Sequence, residues 1–360
     1  MITNKKLLIL LIIVFAFASS KGENLIVVTE EEQNKMLNEA DDWIDDMPEG
    51  LQDKQSDAIL HAIRGFNSEL NRLRAPEASQ SDPSEDITTT DIMGGRNKNI
   101  KMRLYERKNS LCSQDLPALI YFHGGLWSYG SIDTSDKFCK ALVSDCDIKI
   151  ISVAYPLSPE NVYPTALNSC IEAIEYVFTN ASELKIRKDC ISVGGDDAGG
   201  NLALTSIVKM NENQNNLIPT KSLVLFYPLM KASVDKTIKA WRKYGKGYGL
   251  DSRLPAAAGN SYIKGLSGVE TDYSSEDPFI SPLLLKKEQL AKLPPMLMVA
   301  AGRDLLIDWE EEFNKVLKES SVEITFVNFN GAIHGFISDG HQPTALKKAA
   351  EITATFLMQK

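Results

Sequence analysis

Asp197 stands between Gly195 and Gly199 in the stretch Ile191-Ser192-Val193-Gly194-Gly195-Asp196-Asp197-Ala198-Gly199-Gly200-Asn201, an apolar run that breaks into glycines and then opens a helical pattern. The spacing predicts strand, sharp turn and helix. In the G-x-S-x-G elbow the flanking glycines are needed because the turn is strained and larger side chains would collide across it. Such an elbow presents a nucleophile, and here its apex is an aspartate. Three further stretches supply the other parts of acyl transfer. Tyr121-Phe122-His123-Gly124-Gly125-Leu126-Trp127 follows an apolar run, and adjacent glycines let backbone N–H groups turn towards an oxygen that becomes negative during reaction. Ala301-Gly302-Arg303-Asp304 puts an acid at the end of the run from Met296, where sites gather in parallel sheets. Gly331-Ala332-Ile333-His334-Gly335-Phe336 puts a histidine after the next run; the others in the chain are His61, His123 and His341. Taken singly, each stretch has a plain structural reading: a glycine-rich turn, a helix N-cap, a core histidine. The order nucleophile, acid, histidine along the chain is what joins positions 197, 304 and 334.

The elements that must position these residues alternate. Short apolar or β-branched runs at Ile100–Tyr105, Ala118–Phe122, Ile148–Ala154, Cys190–Val193, Leu223–Tyr227, Met296–Ala300 and Val322–Val327 are separated by helical patterns at Ser135–Val143, Ala166–Phe178, after Asp197, at Trp309–Leu317 and at Thr344–Leu357. That alternation predicts an α/β fold with a mostly parallel central sheet covered by helices on both faces. Lys231–Gly268 interrupts it with Trp241, Tyr244, Tyr248 and Tyr262 in a polar background, and is expected to be an insertion over the site. Before the sheet region, Glu23 to Ser84 is acidic and helix-favouring, with Leu60, Ile63, Phe66 and Leu70 at helical steps. Residues 75–95, rich in Pro, Ser, Asp and Thr, read as linker or loop. The expected organisation is a helical cap segment with linker over 19–99 and the catalytic domain over 100–360.

Bulk properties narrow the partners. A net charge of -9 and 43% hydrophobic content over 360 residues give an ample core and no basic face, which argues against nucleic acid and anionic membrane surfaces and favours a small-molecule substrate. Lys5 and Lys6 precede an apolar run from Leu7 to Ala18 that ends Ala16-Phe17-Ala18, so residues 1–18 read as a secretory signal peptide, with export to the outside, the periplasm or the ER lumen. At about 12 residues the run is shorter than a spanning helix, and an N-terminal membrane anchor is the alternative. The five cysteines, Cys112, Cys139, Cys146, Cys170 and Cys190, leave at least one unpaired, and Cys170 and Cys190 fit buried apolar positions. No cysteine or histidine spacing points to a metal, and no cofactor is implied.

The chain resembles the hormone-sensitive-lipase-like α/β hydrolases, which include arylacetamide deacetylases and plant carboxylesterases. The resemblance runs from Ile100 to the C-terminus and rests on Phe122-His123-Gly124-Gly125 against HGGG, Tyr155-Pro156-Leu157-Ser158-Pro159-Glu160 against YRLAPE, and Gly195-Asp196-Asp197-Ala198-Gly199-Gly200 against GDSAGG. Leu293-Pro294-Pro295, Asp277 to Leu283, Gly302-Arg303-Asp304 and His334-Gly335-Phe336 complete it. It implies Asp304 as the triad acid, His334 as the base, and the N–H groups of Gly124, Gly125 and Ala198 as the oxyanion hole, under an N-terminal helical cap. Two positions depart from the pattern. Leu126 takes the place of the third glycine, and Asp197 that of the serine.

Aspartate changes the chemistry. A carboxylate with an ordinary pKa of about 4 leaves a tetrahedral intermediate far more readily than an alkoxide, so attack on an ester should return the attacker. Aspartate does act at saturated carbon, as in haloalkane dehalogenases and epoxide hydrolases, which also hold the leaving group with Trp or Tyr; Trp127 and the tyrosines of the insertion are candidates. A further alternative is a catalytically silent binding protein, because two carboxylates beside His334 favour imidazolium, a poor base. Three readings follow: an esterase-family hydrolase with weak ester turnover, an Asp-nucleophile hydrolase of epoxide or haloalkane type, and a small-molecule-binding pseudoenzyme.

Overall fold

The computed structural model describes residues 26–63, 86–108, 115–212, 218–233, 237–265, 271–338 and 340–359. The signal peptide, Cys112 and the apolar positions Phe66 and Leu70 lie outside the described residues. Eight strands form one sheet: β1 (Ile87–Gly94), β2 (Ile100–Arg107), β3 (Leu116–Phe122), β4 (Lys149–Val153), β5 (Ile186–Asp196), β6 (Leu223–Phe226), β7 (Met296–Arg303) and β8 (Ile324–Ile333). Their order is β1-β2-β4-β3-β5-β6-β7-β8. From β4 to β8 all neighbours are parallel, while β2 runs antiparallel to both β1 and β4.

The helices of six or more residues among the described residues are α1 (Glu30–Asp46), α2 (Leu51–Ile63), α3 (Asp136–Asp145), α4 (Thr165–Thr179), α5 (Asp197–Glu212), α6 (Lys239–Tyr244), α7 (Leu254–Lys264), α8 (Ile307–Glu319) and α9 (Pro343–Gln359). Strand alternation sorts the core into two layers. Ile120 and Phe122 of β3 join α4 and α5 on one face, whereas Leu119 and Tyr121 join α3 and α9 on the other. A side-chain period of two is what makes one strand serve both layers.

β1 falls within the stretch expected to be loop. Its Thr-rich middle is exposed and only its ends, Ile87 and Gly94, are buried, so no apolar alternation marks it. It pairs along β2 as an edge strand, where such a composition is tolerated. The opposite edge, β8, is covered by α1. Gln33 Nε2 donates to Asn328 O at 3.0 Å, occupying a carbonyl of that edge. At Gly331 an added Cβ would lie 2.4 Å from Leu37 N, so only glycine lets α1 approach this closely. The 231–268 stretch contributes α6 and α7 between β6 and β7. Among the described residues no helix is long and apolar enough to cross a membrane. Cys139, Cys146, Cys170 and Cys190 are all free thiols.

Candidate active site

β5 ends at Asp196 and α5 begins at Asp197, whose φ of 49° lies in the left-handed region. The flanking glycines are forced by packing against the end of β3. A Cβ at Gly195 would stand 2.4 Å from Phe122 O, and one at Gly199 would stand 2.0 Å from the same atom. The turn therefore holds Asp197 against the loop after β3. There Asp197 Oδ2 accepts hydrogen bonds from the backbone N–H of Gly125 at 2.9 Å and of Leu126 at 2.8 Å. The other oxygen, Oδ1, is buried with no hydrogen-bond partner among the described residues.

The loop is shaped to aim those amides. Gly125, Leu126 and Trp127 have φ of 112°, 50° and 58°, a run that turns successive N–H groups inwards. His123 lies under it: its Nδ1 is 2.7 Å from Gly124 O, and Tyr155 stacks on its ring at 4.5 Å while donating its hydroxyl to His123 O at 2.7 Å. Burial lowers the His123 pKa to about 4, so the ring is neutral and donates to Gly124 O. Gly124 does not join the amide pair. Its N–H donates to Asp196 Oδ1 at 3.0 Å, so the loop turns towards Asp197 one residue later than the resemblance implies, and Leu126 supplies the second donor. Ala198 is fully buried at the second position of α5.

Asp196 takes two further donors, Tyr121 Oη at 2.8 Å and Tyr227 Oη at 3.2 Å. Burial pushes its carboxyl up to about 7, with the Asp197 charge adding to the rise, against the opposing pull of the Tyr121, Tyr227 and Gly124 hydrogen bonds.

Asp304 and His334 are brought together by the ends of adjacent parallel strands. His334 Nδ1 is 2.6 Å from Asp304 Oδ2, and Asp304 Oδ1 accepts from Leu306 N at 3.0 Å. Asp304 is completely buried, which strengthens this contact relative to water. The plain N-cap reading of Asp304 does not hold: the helix that follows begins at Ile307 with Leu306 as its N-cap, and the Asp304 Oδ1 bond to Leu306 N closes a turn ahead of it. Near Asp304, Glu310 is also fully buried, and neither carboxyl oxygen has a hydrogen-bond partner among the described residues. Burial raises its pKa well above the ordinary value, with the Asp304 charge contributing.

Residues that carry no catalytic signature hold the histidine loop. Buried Gln342 accepts from Ile333 N at 2.8 Å and donates to Gly331 O at 3.1 Å and to Met36 O of α1 at 2.7 Å. Arg303, beside Asp304, pairs with Asp41 of α1 at 2.6 Å and lies over the Tyr248 ring at 5.1 Å. Gly249 of the insertion approaches so closely that its Cβ would meet His334 O at 2.5 Å. Gly249 thus places this stretch beside the histidine. Trp127 stacks on Tyr262 at 4.7 Å, and its indole nitrogen is buried without a hydrogen-bond partner among the described residues. No group of three or more metal-ligating side chains occurs among the described residues.

Sheet, elbow, inward amides and acid–histidine pair define the class: an α/β hydrolase. Residues 119–338 match the family described as alpha/beta hydrolase fold, and the chain belongs to that family. It is 37% identical over 220 residues to an arylesterase of Saccharolobus solfataricus, spanning 61% of this chain and 68% of the relative. It is 29% identical over 286 residues to an ethyl acetate hydrolase of Pseudomonas putida, spanning 78% and 86% respectively. Among solved structures it is similar to EstE1, a thermophilic carboxylesterase cloned from a metagenomic library, with a TM-score of 0.66, 28% identity, and coverage of 88% of this chain and 99% of that one. The chain is a carboxylesterase/lipase-like hydrolase by kinship.

Proposed function

We propose that this chain is an exported hydrolase of small ester-type substrates in which Asp197 stands where its relatives present a serine, so that the native chain turns esters over weakly. One observation carries the reading: Asp197 Oδ2 already accepts both inward N–H groups, from Gly125 and Leu126. An ester carbonyl oxygen needs that pair when it becomes an oxyanion. Here an internal anion holds the place, and the attacking group is one that the intermediate expels. The test is hydrolysis of a chromogenic short-chain ester by the native chain and by Asp197→Ser. Little turnover is expected from the native chain and a clear gain from the variant; brisk native hydrolysis would reject the reading.

A second reading is favoured by the unpartnered Asp197 Oδ1. With Oδ2 anchored, Oδ1 offers its lone pair to a saturated carbon. The carbon–oxygen bond forms as the leaving group departs with its electron pair, giving an alkyl ester on Asp197. Water, losing a proton to His334, would then attack the aspartyl carbonyl, placing negative charge on Oδ2 between the two amides. As the intermediate collapses, His334 would return its proton to the departing alkoxide, releasing the alcohol, and the acid left on Asp197 would lose its proton to solvent to restore the carboxylate. Mass spectrometry for an alkylated Asp197 after incubation with epoxides and haloalkanes tests this; absence of the adduct across a broad panel counts against it. A small molecule that stabilises the fold without either reaction would mark a binding protein instead.

A further inference from the structure

Tyr227 follows β6 with a φ of 31°, a conformation that a bulky residue adopts only when its surroundings impose it. Two hydrogen bonds and two ring contacts hold it. Its hydroxyl donates to Asp196 Oδ2 at 3.2 Å and accepts from Ile337 N at 3.2 Å, and its ring lies 4.9 Å from the His334 ring and 4.8 Å from the Phe336 ring. Asp196 in turn holds Gly124 N, at the root of the amide loop. One phenol therefore touches both sides of the site: through Asp196 the loop that carries the Gly125 and Leu126 amides, and through Ile337 the loop that carries His334.

We propose that Tyr227 is a positioning residue whose hydroxyl fixes the histidine loop relative to the amide loop, so that His334 stays aligned on Asp304. The inference rests on the reading of His334 and the amide pair as the working site. It supplies what that reading lacks, a physical link between elements that are distant in sequence. Gln342 braces the same loop from the far side, at Ile333. Tyr227 braces it from within, at Ile337. The ring alone cannot do this, because a tilted contact with the His334 ring tolerates sliding whereas a donor and an acceptor on one oxygen do not.

Tyr227→Phe removes that oxygen and keeps the ring, and Tyr105→Phe is the matched control. Tyr105 is equally buried and donates to Asp136 at 3.0 Å, a contact distinct from the His334 and amide loops. The readout is the rate of carbethoxylation of His334 by diethylpyrocarbonate, followed by mass spectrometry against pH, together with hydrogen exchange at Ile337. None of these needs turnover, so an inactive native chain leaves the test intact. In Tyr227→Phe, Ile337 exchange and His334 modification should each rise about two- to tenfold, the factor a lost hydrogen bond gives. Tyr105→Phe should change neither. An unchanged profile and exchange rate in Tyr227→Phe would overturn the proposal, and so would equal changes in both variants, which would mark general loosening.

Discussion

Leu126 donates its backbone N–H to Asp197 Oδ2 at 2.8 Å while its side chain is completely buried, and it does so from a φ of 50°. Backbone and side chain pull in opposite directions there. Glycine would relieve about 1–2 kcal/mol of left-handed strain, but removing a buried leucine side chain costs about 2–5 kcal/mol. The side chain should win. Leu126→Gly is expected to lower the unfolding free energy by about 1–3 kcal/mol in urea titrations, the cavity cost less the relieved strain. An unchanged or raised stability would mean that packing at this position contributes less than the backbone does.

The two amides also predict how substitutions at Asp197 divide. Asparagine keeps a carbonyl oxygen for Gly125 N and Leu126 N and tolerates the left-handed conformation. Alanine leaves both donors without a protein partner. An uncharged hydrogen bond contributes about 0.5–1.5 kcal/mol, so with two such bonds at stake Asp197→Ala should be less stable than Asp197→Asn by about 1–3 kcal/mol. Thermal unfolding of the pair decides it. Equal stability would show that water or a rearranged loop satisfies the amides at no cost.

Freed amides should serve a substrate. In Asp197→Ser the pair is open and the apex carries a hydroxyl, so short-chain ester hydrolysis should rise by at least about a hundredfold, the low end of what one such donor is worth. Asp304→Asn in that background should abolish most of the gain, because His334 Nδ1 loses the anion 2.6 Å away. Steady-state kinetics on the three chains is the measurement. A double variant as active as Asp197→Ser would remove Asp304 from the reaction.

Much of this site is legible in the sequence. The glycines around Asp197 and the order of Asp197, Asp304 and His334 follow from what a strained elbow and successive strand ends require. The alternation of runs gave the parallel sheet for the same reason. What escaped were residues whose work is done by ordinary polar atoms. Gln342 and Tyr227 have no spacing signature, since their partners lie on other elements. Leu126 stands out in the sequence only as a departure from the third glycine; that its amide joins that of Gly125 at Asp197 depends on the dihedrals of the loop. β1 was hidden because an edge strand exposed along its middle needs no apolar alternation.

Helix α1 should be a brace as well as a cover. Gln342 joins Met36 O of α1 to the backbone on either side of Ala332, and Arg303 joins Asp41 of α1 to the strand end that carries Asp304. The buried amide matters more than the ion pair: Asp41 is half exposed, and pairs of that kind contribute about 0–1 kcal/mol. Gln342→Leu removes three hydrogen bonds from a buried position and should cost about 2–4 kcal/mol, taking about 1 kcal/mol for each bond. Asp41→Asn should cost under about 1 kcal/mol. Hydrogen exchange in α1 should accelerate strongly in the first variant and little in the second. The reverse order would place the hold on α1 at Arg303.

Glu310 makes the pH dependence of stability testable with a sign. Burial holds its carboxyl well above the ordinary 4.5, with the Asp304 charge adding to the effect, and both of its oxygens lack partners among the described residues. A carboxyl with a raised folded pKa keeps its proton in the native state after the unfolded chain has released its own. The unfolded state then binds fewer protons, and stability falls as pH rises from the unfolded value towards the folded one. Asp196, pushed up to about 7, acts in the same direction over its own range. The native chain should therefore lose stability from about pH 4.5 upwards on account of these groups, by at most about 1.4 kcal/mol per pH unit for each proton. Glu310→Gln is neutral at every pH and removes the contribution of this group. Its unfolding free energy relative to the native chain should grow as pH rises above about 4.5, while the slope that remains is set by the other shifted groups, Asp196, Asp145 and Glu311 in the same direction and His123 in the opposite one. Urea denaturation at several pH values reads the difference directly. A constant offset would mean that Glu310 titrates alike in the folded and unfolded chains, and that its burial beside Asp304 is relieved by some partner.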